Sequence, residues 1–369
     1  MKFRCDKTLL TDAVTNISRI IPSKSSFPAL EGVQIKAYSN EIKLTGYDNE
    51  VGITTSLENA VEEDGEIVLP AKLFSDMIRR MPGQEITIET GEKYLTQIKS
   101  GMSEFTILGI PSEEYPELPR IEEGSGISLQ ESVLKSMIEQ TIFAVAVADS
   151  KPIHTGSLFD ISADTLTVVS VDGYRLAMRS EKISGGSDIS FVVPGKALNE
   201  ISKLIKDDSD KTLSINVSRR HIVFNVGRYE IISRLLEGEF LDYKASIPQG
   251  AMANVKVSRR EFIESIERVS LLISDRVRSP LRILFDEERI AINCSTSLGK
   301  SYDEVSCNLN GDPLEMGFNN KFLLDALKAA GCDEVLIEIN GKLSPIKLLP
   351  PDGDSFLFLV LPVRLKNEG

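Results

Sequence analysis

The sequence predicts an α+β protein of three tandem copies of one domain, each with two helices packed on antiparallel sheet. One observation is self-similarity. The stretch "VLPAKLFSDMIRRM" at 68–81 recurs as "VVPGKALNEISKLI" at 192–205 and as "MGFNNKFLLDALKAA" at 316–330. Lys72 then falls over Lys196 and Lys321, Asp76 over Glu200 and Asp325, and Arg79 over Lys203 and Lys328, at offsets of 124 and 125 residues. A second observation is period-two patterning with turn residues between runs, which suits antiparallel strands. The third is length: 369 residues exceed one ordinary core, so several domains are expected.

Each copy opens on an amphipathic helix. The segments "KTLLTDAVTNI", "QESVLKSMIEQ" and "RREFIESIERV" place Leu9 and Leu10 over Val133 and Leu134, and over Phe262 and Ile263. Strands follow, as in "GVQIKAYSNEIKLTGY", with "TGYDNE" and "SVDGYR" setting Asp48 over Asp172. Next comes the second helix. In copy one, Leu73, Phe74, Met77, Ile78 and Met81 form its apolar face; in copy two Ala197, Leu198, Ile201, Leu204 and Ile205 do. Further strands, "TLSINVSRRHIVFNV" and "EVLIEINGKLSPIKLL", close the copy. Gly and small polar residues break the pattern at "EEGSG" (122–126) and "PQGAMAN" (248–254), while "SGGSD" at 184–188 reads as an internal loop. The expected domains are therefore 1–124, 125–250 and 251–369.

Hydrophobic residues make up 41% and charged residues 26%, the balance of a soluble globular chain. No run approaches the roughly 18 apolar residues of a membrane span. The start "MKFRCDKTLL" lacks the apolar core of a signal peptide, so the expected location is the cytoplasm. Cys5, Cys294, Cys307 and Cys332 form no CxxC pair and are expected to be reduced, inert thiols. His154 and His221 each stand alone in a strand-like run, and no nucleotide-binding or zinc-protease motif is present. Neither a metal site, nor a cofactor, nor catalysis is expected.

A formal net charge of -13 argues against a protein that coats nucleic acid, but not against one basic face. The second helices leave Lys72, Arg79 and Arg80, then Lys196, Lys203 and Lys206, then Lys321 and Lys328, away from their apolar stripes. The first helices add Lys7, Arg19, Lys135, Arg259, Arg260 and Arg268. On one helix these would be solvated residues, with Asp76 and Arg79 a surface pair of a few tenths of a kcal/mol. Repeated about an axis they would form a ring of positive potential, suited to a polyanion held through phosphates without reading bases.

Taken together, "MKF", "SSFPALEGV", "LTGYDNE", "VLPAKLF", "VVSVDGYRLAM", "GEFLDYK", "MGFNNKFLLDAL" and "LVLPVRL" give the chain a full-length resemblance to the bacterial sliding clamp family, the beta subunit of DNA polymerase III. The resemblance implies a head-to-tail homodimeric ring of six domains (the DNA clamp fold), with sheets outside and helices around duplex DNA bound without regard to sequence. It implies a processivity factor, with no catalysis of its own, serving the replicative polymerase catalytic subunit, an ATP-dependent clamp loader and other clients. Lys24, in "PSKSSFP", takes a position where the family often has a DNA-contacting arginine, and joins Lys72, Arg79, Arg80, Lys135, Lys196, Lys203, Lys321 and Lys328 as DNA-facing cations. Phe105 and Ile107, with Leu272 and Ile273, match apolar dimer contacts.

The family's client pocket maps onto Val171, Gly173, Tyr174, Arg175 and Leu176, then Leu241, then Asn319 and Phe322, then Leu343 and Pro345. Its last segment is Leu359, Val360, Leu361, Pro362, Val363, Arg364 and Leu365, although patterning alone reads "FLFLVLPVRL" as a buried strand with Pro362 at its edge. The chain departs from the family at "FLDY", Tyr174, His154 and the trailing "KNEG", and an aromatic expected near "SDRVRS" has no clear equivalent.

Two other classes compete. A scaffold could use the same fold and pocket without DNA. A hydrolase could use Asp48 and Asp172, but their repetition and the absence of a partnered base favour turn roles.

Overall fold

A computed structural model describes residues 1–119, 121, 125–147, 151–183, 188–207, 209–274, 276–277 and 279–365. The tail 366–369, most of "SGGSD" and most of "EEGSG" lie outside these residues. The chain divides into two compact units, one of 1–132 with 199–235 and one of 133–198 with 236–369.

The helices are α1 (Lys7–Ser18), α2 (Ala71–Arg80), α3 (Glu131–Thr141), α4 (Gly195–Leu204), a single turn α5 (Tyr243–Ser246), α6 (Arg259–Val269) and α7 (Asn320–Ala329). Six of them are the two predicted helices of each copy. In the first unit α1 buries Leu10, Ala13, Val14 and Ile17, with Asp6 capping its start. The α2 helix buries Ala71, Phe74 and Ile78 at spacings of three and four. That stripe is narrower than expected: Leu73, assigned to the apolar face, is 46% exposed, because it lies a third of a turn off the line through Phe74 and Ile78. Met81 follows the helix as its buried C-cap.

Two of the outward cations expected on the first helices turn inward instead. Lys7 Nζ donates to the Met81 carbonyl at 2.5 Å, and the Arg259 guanidinium donates to the carbonyls of Cys332 and Leu327. Each opens the first helix of its copy and satisfies carbonyls at the end of the second, where the helix dipole favours a cation.

All strand pairs are antiparallel. The first unit holds a five-stranded sheet ending at Ser103–Leu108 and an eight-stranded sheet; the second unit holds one of twelve strands. The predicted hairpins form, Gly32–Tyr38 with Glu41–Tyr47, Thr212–Val217 with His221–Val226, and Glu334–Ile339 with Ile346–Leu349. His154 departs from expectation, lying in a 3-10 turn over Pro152–Thr155 that precedes its strand. Asp48 and Asp172 take the turn roles: each Oδ1 accepts two backbone amides, from Glu50 and Val51 and from Tyr174 and Arg175.

The copies are joined by one repeated device. Tyr229–Arg234, the last strand of copy two, pairs with Val51–Glu58 of copy one; Phe356–Val360, the last strand of copy three, pairs with Arg175–Lys182 of copy two. The equivalent remaining strands are Ser103–Leu108 of copy one, which ends its sheet, and 299–306 of copy three, which among the described residues pair only with 289–296. A second device repeats at each copy's exit, where isolated bridges tie Val68 to Ile110, Val192 to Leu236 and Gly317 to Val363. The strand expected over 356–365 consequently stops at Val360, and beyond it Leu361 and Val363 are 40% and 42% exposed.

Candidate nucleic-acid interface and ligand groove

The outward cations of the second helices are exposed in every copy: Lys72, Arg79 and Arg80; Lys196 and Lys203; Lys321 and Lys328. Lys24 is exposed as well, in the segment after α1. Several of these charges have carboxylate neighbours. Arg79 lies 2.5 Å from Asp76, Lys203 is 2.7 Å from Glu200, and Lys328 is 2.6 Å from Glu267. Lys135 differs, with a side chain only 16% exposed and set 3.9 Å from Glu139. Exposed pairs of this kind are screened and weak, so the cations keep most of their field for a polyanion.

The residues assigned to dimer contact divide by burial. On the terminal strand Ser103–Leu108, Phe105 is 40% exposed whereas Ile107 is buried at 7%. Leu272 and Ile273 are half-buried, and their neighbour Leu271 is 83% exposed. Leu108, 63% exposed on the same strand, and Tyr302, 59% exposed within 299–306, were not singled out from the sequence. Both sit in alternating strands, where an apolar residue on the polar face was the available signal.

The groove residues come together in the second unit because two strands meet there. Arg175 pairs with Val360 and Leu176 with Leu359, and the Leu361 amide then donates to the Tyr174 carbonyl at 2.9 Å. Val363 N donates to Gly317 O at 2.8 Å, so 361–363 runs from the Tyr174 turn to the edge of Leu314–Phe318. Gly317 permits that approach, since a Cβ there would lie 2.6 Å from the Val363 carbonyl oxygen. Gly173 has φ +85°, a left-handed turn position that suits glycine.

One wall is apolar. Val171, Leu176 and Leu359 are buried with Ile153, Leu158, Val169, Val192 and Tyr243, flanked by half-buried Met178, Leu236, Phe240 and Ile247. Most of these flanking residues escaped the sequence reading, which had no means of knowing that 236–247 packs on 171–176. Tyr243 donates its hydroxyl to Asp160 at 2.7 Å, and His154 packs edge-on against Phe240 at 5.7 Å. Leu241 is exposed at 40% and Leu343 at 69%; Pro345 is half-buried, one residue before the strand Ile346–Leu349.

The other wall is aromatic and charged. The Tyr174 ring, 63% exposed, stacks on Phe322 at 5.6 Å. Beneath them Arg175, 8% exposed, lies 4.7 Å from the Phe322 centroid and 5.4 Å from that of Phe143. Its Nε donates to Asp172 at 2.9 Å and its Nη1 to Asp325 at 2.6 Å. Val360 is fully buried, so it and Arg175 belong to the floor. Asn319 caps α7, its Oδ1 accepting from Lys321 N and Phe322 N. A cavity of about 770 Å³ adjoins, lined by Asn319, Lys321, Val363, Ile273 and both serines of "SDRVRS". Ile273, assigned to dimer contact, therefore lines this cavity. Among the described residues no cluster of His, Cys, Asp and Glu could hold a metal ion.

Residues 1–119, 128–242 and 244–364 match the N-terminal, central and C-terminal domains of the DNA polymerase III beta subunit. A beta sliding clamp of Staphylococcus epidermidis is 33% identical over 375 residues, covering 99% of each chain. The crystal structure of the DNA polymerase sliding clamp from Bacillus subtilis superposes with a TM-score of 0.95 at 31% identity, covering 99% of this chain and 100% of that one. A sliding clamp from Bartonella birtlesii bound to griselimycin gives 0.94 at 27% identity, with 99% and 100% coverage. The chain belongs to the DNA polymerase III beta subunit family.

Proposed function

We propose that two copies of this chain close head to tail into a ring that encloses duplex DNA and tethers the replicative polymerase, with domains bounded near 124 and 250. It acts as a non-catalytic processivity clamp. One observation carries the assembly: two junctions within the chain use the same strand pair, and the strands that would make a third, Ser103–Leu108 and 299–306, are left over. Unlike edges on one chain make a heterologous contact, which yields a ring if its rotation closes. Size then decides the copy number. Twelve helices about 10 Å apart give an axis circle about 38 Å across, and about 28 Å once helix radii are subtracted, enough for a duplex roughly 20 Å wide. Six helices would leave about 9 Å.

Retention by enclosure explains the modest, partly paired cations. Dense phosphate contacts would anchor the ring, whereas a few screened charges let it slide. The groove beside Tyr174 receives a short segment of the polymerase and other clients in the cytoplasm, burying apolar side chains against Leu176 and Leu359. The chain carries no nucleotide-binding loop, so opening the ring on DNA falls to a separate ATP-driven loader.

Solution mass tests the assembly. Twice the chain mass of 40.7 kDa is expected, about 81 kDa, falling to the monomer value in Leu108→Asp on the terminal strand. A wild-type monomer at micromolar concentration contradicts the reading.

A further inference from the structure

The second helices share a repeated acid, but it has different partners. Asp76 takes Arg79 and Glu200 takes Lys203, each three residues on along its own helix. In copy three Asp325 instead takes Arg175, 150 residues away, and Lys328 turns to Glu267 on α6. Arg175 is buried, and it touches both sides of one junction. Its guanidinium lies under Phe322, on which the exposed Tyr174 ring stacks, and over Phe143; Asp325 holds its far end one turn further along α7. The chain of contacts runs from groove rim to a helix that carries Lys321 and Lys328. Few other positions are open to Arg175, since leaving its buried guanidinium unpaired is costly.

From this geometry we infer that Arg175 is a positioning residue that carries groove occupancy to α7. The inference rests on the groove being a ligand site. A ligand that takes the Tyr174 position on Phe322 shifts the ring against which the guanidinium is packed. The Arg175 to Asp325 bond then passes the shift to the turn of α7 that bears Lys328, and so to the position of that cation. Linkage makes the effect reciprocal, so DNA along α7 alters affinity in the groove by the same factor.

Amide hydrogen exchange on the intact protein tests this, with griselimycin as the probe. Saturating griselimycin should slow exchange of Ala326–Ala330 at least about fivefold, the low end of ordinary coupling. In Asp325→Asn, at a griselimycin concentration that again saturates the groove, the slowing should be confined to residues 320–323. Asp325→Glu, which keeps the charge, should restore it and guards against mere loss of structure. No slowing at Ala326–Ala330 in the wild type, or the same slowing in Asp325→Asn, overturns the inference. Absence of griselimycin binding in the preceding titration overturns the groove reading itself, a result distinct from binding without transmission.

Discussion

Gly317 and Gly173 show how two glycines can matter for different reasons. At Gly173 a Cβ would meet nothing within 4 Å, so alanine there bears only the left-handed backbone, about 1 kcal/mol. At Gly317 the conformation is ordinary, but a Cβ would run into the Val363 carbonyl and the Leu365 side chain. Gly317→Ala should therefore weaken binding of a client peptide in the proposed groove about tenfold or more by displacing 361–365, with a small change in melting temperature. Gly173→Ala should lower stability with less effect on affinity; isothermal titration beside thermal melts separates the two. Cys307 offers a pH test. Burial, with Asp286 nearby adding repulsion, pushes its thiol up to about 11. A group raised above its unfolded value stabilises the fold below the unfolded pKa and loses that contribution as pH rises through the folded one. Melting temperature should fall between pH 9 and 11, less steeply in Cys307→Ser, and iodoacetamide should label Cys307 slowly at pH 8 unless the chain is unfolded.

Helices and strands were legible where a period governed them. The second helices were readable because burial selects one stripe, and hairpins such as Gly32–Tyr38 with Glu41–Tyr47 because alternation survives on a half-buried sheet. What could not be read was set by distant chain. Leu73 looked like core, but α2 needs only the line through Ala71, Phe74 and Ile78. Arg175 entered the client pocket by resemblance alone, and only the fold brings Asp325 to the far end of its guanidinium. Lys7 and Arg259 looked outward because no local pattern shows that the start of one helix lies beside the end of another. The remaining cations support a prediction at this scale. Lys72→Glu, Lys196→Glu and Lys321→Glu together should cut loading onto primed DNA by about tenfold or more at low salt, without altering solution mass. Undiminished loading would favour a scaffold that works through its groove alone.

At the scale of the whole molecule, the repeat explains both what the chain completes by itself and what it leaves for a second copy. Two inter-copy junctions are made internally, and the strands for the next are exposed on opposite copies. Such edges invite uncontrolled association unless a specific partner covers them, and a ring uses both at once. On the proposed ring the overall negative charge would keep DNA from adhering to the outer surface, with the helix cations facing the enclosed duplex. Binding strength is not what such a design requires. Topology holds the protein on DNA, so retention should depend on whether the DNA has ends. The decisive measurement is retention of the loaded protein on nicked circular DNA before and after the circle is cut to linear form. The ring account predicts stable retention on the circle and loss by sliding off the linear product; equal retention, or equal loss, on both would contradict it.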